Sequence, residues 1–270
     1  MSLRVNRRQW LGALGGACGW LLTRPAARAA KVAVRRVFAS SGAPKGYDPT
    51  KHHWQMCIDL ARCIGCGLCV EACKTENHVP QAPTFFRTWI ERYVIRKAAP
   101  GSGDTRGATL VDSPNGGRDG FPPLLVPREE ILHSFFVPKL CNECRDSPCV
   151  QACPVGATFD SPDGVVLVDP TYCIGCGFCV EACPYGCRYL NPETHTADKC
   201  TLCYHRITRG LKPACVEVCP GHARIFGDLL HPVENDPIQA FVAKHCVDTL
   251  KTYLGTNPQV LYADMDKEVR

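Results

Sequence analysis

The sequence predicts an α+β fold built from two pseudo-symmetric units, with inserted loops and a C-terminal helix. Three observations lead to this prediction. Cysteine accounts for 20 of the 270 residues, and sixteen of these cysteines fall into four groups. Two of the groups repeat almost the same eleven-residue sequence, which indicates an internal duplication. Glycine and proline contribute 23 and 22 residues, so turns must separate short helices and strands.

The first thirty residues have the features of a targeting segment. Arg7 and Arg8 form a twin-arginine pair, and a weakly apolar run over residues 11–22 follows it. Residues 27–29, with the sequence ARA, resemble a small-residue cleavage site. This pattern resembles a twin-arginine (Tat) signal, which directs the export of proteins that are already folded. We therefore expect residues 1–30 to be a Tat-type signal segment and the protein to be periplasmic.

The net charge of +5 comes from this segment and does not indicate a nucleic-acid partner. The chain has 31 basic and 26 acidic residues, and five arginines but no acidic residue lie before residue 31. The rest of the chain has equal numbers of basic and acidic side chains, so we predict no nucleic-acid binding. No run of about 18 apolar residues is present, so we predict no transmembrane helix.

The four cysteine groups follow a common spacing rule. The first and third groups have the spacing C-x2-C-x2-C-x3-C, and proline follows the last cysteine in three groups, while Lys74 stands in that place in the first. The grouped residues are Cys63, Cys66, Cys69 and Cys73; Cys141, Cys144, Cys149 and Cys153; Cys173, Cys176, Cys179 and Cys183; and Cys200, Cys203, Cys215 and Cys219.

The repeat supports this grouping. Residues 63–73 read CIGCGLCVEAC and residues 173–183 read CIGCGFCVEAC, so that only Leu68 and Phe178 differ. Asp59 and Asp169 each precede the first cysteine by four residues. The aligned tails are CVQACPVGA, CVEACPYGC and CVEVCPGHA. Each unit is therefore predicted to be a cysteine loop, a short helix that carries the last cysteine, and a turn.

This spacing is typical of [4Fe–4S] clusters. Three cysteines of C-x2-C-x2-C can bind one face of an iron–sulfur cubane, and the fourth cysteine, just before proline, binds the other cluster in bacterial two-cluster ferredoxins. The groups must then work in pairs, and sixteen cysteines would hold four clusters. Zinc sites use separated C-x2-C or Cys/His pairs, which fits this spacing less well. Disulfides are the other alternative in an exported chain.

The cysteine segments also resemble a known family. They look like the four-cluster iron–sulfur subunits of dimethyl sulfoxide, polysulfide and tetrathionate reductases and of nitrite-reductase systems, in their exported branch. The resemblance extends from about residue 55 to residue 262. The segments that carry it are CIDLARCIGCGLCVEAC, PKLCNECRDSPCVQACPVGATF, DGVVLVDPTYCIGCGFCVEACPYGCRYLNP and ADKCTLCYHRITRGLKPACVEVCP.

The resemblance implies a ligand set for each cluster, because in this family the first and fourth groups pair and the second and third groups pair. Cluster one would take Cys63, Cys66, Cys69 and Cys219; cluster two would take Cys73, Cys200, Cys203 and Cys215; cluster three would take Cys141, Cys144, Cys149 and Cys183; cluster four would take Cys153, Cys173, Cys176 and Cys179.

The pairing makes one unit discontinuous in sequence. We expect the following regions: a signal segment over 1–30, an outer ferredoxin-like unit over 50–97 and 191–230, an inserted loop region over 98–138, an inner ferredoxin-like unit over 139–190, and a C-terminal helix and tail over 231–270. The helix is predicted from Pro237 to Leu254, because its apolar residues follow helical spacing.

Four cysteines remain outside the groups: Cys18, Cys57, Cys187 and Cys246. Cys187 is aligned with alanines in the other tails, so we expect a small buried residue. Cys57 lies in an apolar strand-like run and should be packed, and Cys246 falls on the predicted C-terminal helix.

The predicted function is electron transfer. No Ser-His-Asp or paired-carboxylate arrangement is apparent, so no catalytic residue is predicted. The resemblance implies a polytopic membrane subunit that reacts with quinone at one end. It implies a molybdopterin catalytic subunit or a multihaem cytochrome c at the other, so that the protein would be membrane-associated through its partners. The alternatives are an enzyme that reduces a small substrate at an open cluster and a zinc-stabilised interaction module.

Overall fold

The computed structural model describes residues 43–231 and 236–269, so the predicted signal segment and Cys18 lie outside the described residues. The strands are β1 (Trp54–Asp59), β2 (Thr88–Lys97), β3 (Arg106–Asp112), β4 (Ile131–Leu140), β5 (Thr158–Asp160), β6 (Val166–Val168), β7 (Arg188–Leu190), β8 (Ala197–Lys199), β9 (Arg224–Asp228), β10 (Val247–Asp248) and β11 (Val260–Ala263). The α-helices are α1 (Leu68–Glu76), α2 (Pro148–Gln151), α3 (Phe178–Glu181), α4 (Tyr204–Ile207), α5 (Ala214–Glu217) and α6 (Pro237–Val242).

Strand β1 lies inside a four-stranded sheet with the order β10-β11-β1-β9. Its residues Met56, Cys57 and Ile58 are at most 1% exposed, as expected for a strand that is covered on both faces. β1 pairs antiparallel with β9, and Ile58 lies opposite Arg224. Because the end of β1 meets the start of β9, the first cysteine group, which follows β1, is brought beside Cys219, which precedes β9.

Two short hairpins bring other cysteine groups close together in the same way. β5 pairs antiparallel with β6, and Thr158 lies opposite Val168. The pairing brings the chain after Cys153 close to the chain that leads to Cys173. β7 pairs with β8, Arg188 opposite Lys199, so the segment after the third cysteine group lies beside the start of the fourth.

The region predicted as an inserted loop over residues 98–138 contains strands, and this prediction was wrong in part. β3 and most of β4 fall within it, and both pair with β2 in a three-stranded sheet of order β3-β2-β4. Arg106 of β3 donates to both carboxylate oxygens of Asp266 at 2.9 Å. Glycine and proline occur mainly on either side of β3, so their density over the whole region concealed a strand between two loops.

The helix predicted over residues 237–254 is confirmed only as α6. The Asp236 carboxylate accepts hydrogen bonds from the N–H groups of Ile238 and Gln239 at 2.8 and 2.9 Å, which caps its first turn. Beyond it, Lys251 takes a left-handed conformation with φ of 50°, which interrupts any helix. Within the predicted range, Val247–Asp248 forms β10, which pairs with β11 at the edge of the sheet. Sheet pairing thus replaces the helix that the local spacing predicts.

The inner and outer units share one hydrophobic core. It includes Met56 and Tyr204 from the outer unit and Phe159 and Leu167 from the inner unit. The fully buried Asp163 also joins them, because its carboxylate accepts a hydrogen bond from the Tyr204 hydroxyl at 2.5 Å. Within the described ranges, none of the helices combines the length and the apolar character needed to cross a membrane.

Candidate metal centres

The first predicted ligand set lies together around one cavity. This cavity, with about 350 Å³ of empty space, is lined by Cys63, Cys66, Cys69 and Cys219. The Asp59 carboxylate accepts from the Ala61 N–H at 3.0 Å and caps the short turn that leads to the first cysteine. Gly67 has φ of 78°, and a Cβ at this position would overlap the backbone carbonyl of Arg118, so only glycine fits there.

The second predicted set lies around a neighbouring cavity. The cavity has about 290 Å³ of empty space and is lined by Cys73, Cys200, Cys203 and Cys215. Burial first, and then the other three sulfurs of this set, raise the pKa of Cys73 well above its usual value. The Asn77 side-chain amide also points at this set, since it lies 3.6 Å from the sulfur of Cys73 and 3.5 Å from that of Cys203.

Helix geometry explains why the two cavities exchange their fourth cysteines. Cys69 and Cys73 are four residues apart at α1, so their side chains lie one turn apart on the same face. Cys215 lies in α5 and Cys219 follows the end of that helix by two residues, and the two helices contact each other. Helix α1 therefore supplies one sulfur to each cavity, and so does α5 together with the residues that directly follow it.

The third predicted set is brought together by burial and proximity. Burial first, and then the charges of Glu143, Cys149 and Cys183, raise the pKa of Cys144 to about 11. Cys141 is fully buried in the same region, and burial and the Glu143 charge raise its pKa well above the usual value. Cys149 and Cys183, the latter from the third sequence group, therefore lie close to Cys144, and Cys141 precedes Cys144 by three residues.

The fourth set is brought together by its secondary structure. The β5–β6 hairpin joins the chain near Cys153 to the chain near Cys173, and the contact between α2 and α3 mirrors that between α1 and α5. Cys149 and Cys153, and likewise Cys179 and Cys183, repeat the spacing of one helical turn. The assignment of ligands within all four sets stays a prediction.

The surroundings of the sulfurs suit thiolate ligands of an iron–sulfur cluster. Backbone N–H groups donate to sulfur in each half of the molecule, which stabilises negative charge on the ligand. These contacts are Thr158 N to Cys153 at 3.5 Å, Ala197 N to Cys173 at 3.3 Å, Leu202 N to Cys200 at 3.4 Å and Ala223 N to Cys219 at 3.3 Å. Within residues 43–231 and 236–269, no three His, Cys, Asp or Glu side chains are grouped so as to hold one metal ion.

Comparison with known proteins identifies the family to which the chain belongs. A family model described as a 4Fe-4S dicluster domain matches residues 132–229, and one described as a 4Fe-4S binding domain matches residues 54–75. A tetrathionate reductase subunit of Salmonella typhimurium is 37% identical over 80% of this chain and 74% of the relative. The subunit of the same name from Archaeoglobus fulgidus is 39% identical over 80% and 87%. NrfC of Escherichia coli is 35% identical over 76% and 78%.

The chain belongs to this family of [4Fe–4S] electron-transfer subunits of reductases. Membership confirms the family and the α+β class with ferredoxin-like units that were predicted from the sequence. It also confirms the kind of cofactor, because both matched regions are 4Fe-4S domains.

A buried ion pair lies between the second and third predicted sulfur sets. Lys199 Nζ is 3.0 Å from Glu143 Oε1, and both side chains are at most 1% exposed. Although burial opposes the charged form, Cys141 and Glu143 raise the pKa of Lys199, so the ammonium group stays charged. Lys199 precedes Cys200 and Glu143 lies between Cys141 and Cys144, so the pair connects the two units at their cysteine loops.

The ungrouped cysteines that can be described have structural positions. Cys57 is fully buried on β1 and packs against Ile238 and Phe241, as expected. Cys187 is 2% exposed and donates through its sulfur to the Leu140 carbonyl at 3.0 Å, which confirms a small buried residue. Cys246 is exposed and follows α6 instead of lying on a long helix.

Sequence reasoning missed three buried cations near the sulfurs. Arg188 and Arg224 each lie five residues after the last cysteine of an aligned tail, in CPYGCR and CPGHAR, so extending the repeat by one residue would have found them. Lys74 was noted only as a replacement for proline. It is 1% exposed, and its Nζ donates to three backbone carbonyls: those of Pro80 at 2.8 Å, Ala82 at 3.1 Å and Phe85 at 2.8 Å.

Proposed function

We propose that this chain relays electrons through four [4Fe–4S] clusters, held by the four predicted ligand sets, between a membrane subunit that reacts with quinone and a catalytic subunit. The observation that carries the proposal is the crossed arrangement at α1 and α5, where α1 supplies Cys69 and Cys73 to two adjacent cavities, and α5 and the turn after it supply Cys215 and Cys219. Two clusters held in this way would be neighbours, as electron transfer between them requires.

The contacts between sets support a linear order from cluster one to cluster four. Clusters one and two would share α1 and α5, and clusters three and four would share α2 and α3. Between the pairs, Cys187 lies within electrostatic range of Cys141 and Cys183 from the third set and of Cys200 from the second. The step between the two units would therefore run from cluster two to cluster three, beside the Lys199–Glu143 ion pair.

At the first and last clusters of this order, a cysteine ligand is exposed at the surface. Among the sixteen grouped cysteines, Cys66 of the first set and Cys176 of the fourth are exposed. The repeat places apolar side chains beside each of them: Ile64 and Leu68 at one end, and Ile174 and Phe178 at the other, with exposures of 64%, 49%, 64% and 59%. Exposed apolar patches are typical of protein contact sites, so each end would dock a different partner.

The names of the relatives indicate the kind of partner. They include tetrathionate reductase, a putative dimethyl sulfoxide reductase, and a thiosulfate reductase electron transfer subunit. We infer a molybdopterin catalytic subunit or a multihaem cytochrome c at one end and a polytopic quinone-interacting subunit at the other. The Tat-type segment over residues 1–30 supports a periplasmic location, with membrane association through the partners.

The protein residues hold and tune the relay. When bound, each cluster supplies one-electron chemistry by alternating between core charges of 2+ and 1+. Four thiolates give each oxidised cluster about −2 overall, so burial disfavours the added electron, while N–H groups and cations near the sulfurs favour it. The fold also excludes water from many of the sulfurs, since Cys69, Cys73, Cys141 and Cys149 are buried.

The experiment is to purify the tagged full-length chain from detergent-solubilised membranes of the organism that expresses it. The native chain is compared with two variants, Leu68→Glu and Phe178→Glu. A charge at either apolar patch should weaken one interface. We expect the native chain to retain both partner subunits by mass spectrometry. Leu68→Glu should lose one of them and Phe178→Glu the other, with unchanged absorbance near 400 nm. A matched control, Leu125→Glu, changes a fully exposed residue away from both patches.

Recovery of the native chain without partners would contradict the relay, and so would reduction of a small substrate by the isolated chain. If both variants lost the same subunit, the two-ended arrangement would be wrong.

A further inference from the structure

Arg224 lies between the first and second sulfur sets. Its Nη2 is 3.5 Å from the sulfur of Cys69, and its Nη1 is 3.7 Å from the sulfur of Cys215. Nη2 also donates to Thr88 Oγ1 at 2.8 Å, which fixes the plane of the guanidinium group. Arg224 is 3% exposed, so a single buried cation contacts one sulfur from each of two adjacent cavities.

Arg188 has the corresponding position in the inner unit. It is 4% exposed, and its charge interacts with those of Cys149 and Cys141 from the third set and of Cys179 from the fourth. Its Nη1 donates to Thr158 Oγ1 at 3.2 Å, as Arg224 does to a threonine. Its Nη2 is buried and has no hydrogen-bond partner in the described residues.

The two arginines are equivalent by sequence and by fold. Each follows the last cysteine of its tail by five residues, and each is the first residue of a short strand, β7 or β9. In the tail that starts from Cys149, the same position is Thr158, the partner of Arg188. The internal repeat has therefore placed one arginine in each unit at the boundary between two sulfur sets.

Neither guanidinium is neutralised by a carboxylate of the described residues, since no ion pair joins either of them to Asp or Glu there. A buried charge without a partner is destabilising. The compensating charge must therefore come from the sulfur sets and from whatever they hold.

We propose that Arg224 and Arg188 are redox-positioning residues, each of which raises the reduction potentials of both clusters in its own pair. This inference rests on the proposed ligand sets. A fixed cation near two clusters favours the more negative, reduced form of each. The electron that takes a core from 2+ to 1+ comes from the donor of the relay, and the arginine keeps its proton throughout. The two residues would thus set the potentials of the relay pairwise.

The test is a dithionite potentiometric titration of the anaerobically purified full-length chain, followed by EPR, for the native protein and for Arg224→Gln, Arg188→Gln and the double variant. Glutamine removes the charge and keeps a hydrogen-bond donor. We expect Arg224→Gln to lower two of four midpoint potentials, each by about a tenfold change in the reduction equilibrium, or 59 mV. Arg188→Gln should lower the other two, and the double variant all four.

Two further variants separate charge from structure. Arg224→Lys keeps the cation and should restore most of the loss. Arg96→Gln, which removes a half-exposed arginine paired with Glu130, should change no potential. A shift confined to one cluster, the same pair shifting in both variants, or four clusters with unchanged potentials would overturn the inference.

If the variants fail to retain clusters, a measurement on the native protein still tests the inference. With arginine labelled at its guanidinium nitrogens by ¹⁵N, pulsed EPR of the reduced protein should show ¹⁵N coupling to the cluster spins, and its absence would overturn the inference. If the native protein instead holds fewer than four clusters, the proposed function fails and not merely the role of the arginines.

Discussion

Cys219 is the residue at which the crossed arrangement can be tested most directly. It is the last cysteine of the fourth sequence group, whose other members Cys200, Cys203 and Cys215 line the second cavity. Its side chain, however, lines the first cavity with Cys63 and Cys69. A single residue therefore separates grouping by sequence from grouping in space.

Cys219→Ser should perturb the cluster at Cys63, Cys66 and Cys69 and leave the one at Cys200 and Cys203 unchanged. Serine oxygen is a harder ligand than thiolate, so the altered cluster should lose iron or change its EPR signal. EPR of the reduced variant measures this, and Cys246→Ser, at an exposed ungrouped cysteine, is the matched control. A change in the cluster of the fourth group would reject the crossed pairing.

The residue patterns predict the sulfur sets, whose ligand assignment stays a prediction, and they did not indicate the charges around the sulfurs. Spacing identifies Cys63, Cys66 and Cys69 because a cluster restricts how far apart its ligands can be in sequence. Extending the repeat would have pointed to Arg224, but the burial of this side chain depends on β1 and β9 pairing so that Ile58 lies opposite it. A buried cation and a surface arginine look alike in a sequence until the strands are placed.

At the scale of elements, the segment between α1 and β2 is held by one side chain. Lys74, at the last turn of α1, donates to the carbonyls of Pro80, Ala82 and Phe85, and its Nζ lies 4.3 Å from the centre of the Phe86 ring. The Ala82 carbonyl also accepts from the Phe85 N–H at 3.3 Å, and the segment itself has no regular structure. Lys74 thus compensates for the proline that ends the other tails by organising a longer connection.

Lys74→Met should lower the free energy of unfolding by about 3 kcal/mol, because three buried carbonyls lose a charged donor. Anaerobic unfolding in guanidinium chloride, followed by far-UV circular dichroism, measures the change. Lys51→Met, at a side chain that is 70% exposed, should stay within about 0.5 kcal/mol of the native protein. Equal effects of the two substitutions would show that the contacts of Lys74 contribute little.

The elements that sequence reasoning placed wrongly are those that depend on distant pairing. The segment over residues 237–254 has helical spacing, yet only its start is helical, and Val247–Asp248 forms β10 against β11, which itself lies against β1, about 200 residues away in the chain. β3 was concealed by flanking glycines and prolines, and it is stable because it pairs with β2 and because Arg106 binds Asp266. Local composition contains neither partner, so these elements could not be predicted from their own residues.

At the scale of the whole molecule, the duplication accounts for the symmetry of the proposed relay. The repeated sequences place Cys66 in the first set and Cys176 in the fourth, each exposed beside two apolar side chains. The tails place an arginine in each unit, and Lys199 and Glu143 join the units where the two inner sets meet. A single unit of this kind would hold one pair of clusters, and joining two of them extends the path.

The central claim is that the sixteen grouped cysteines bind iron–sulfur cubanes. The most direct measurement is the iron and acid-labile sulfide content of the full-length chain, purified without oxygen. The account predicts about sixteen iron atoms and about sixteen sulfides for each chain, which is four of each for every cluster. Little iron, no labile sulfide, or about one zinc ion for every four cysteines would contradict it.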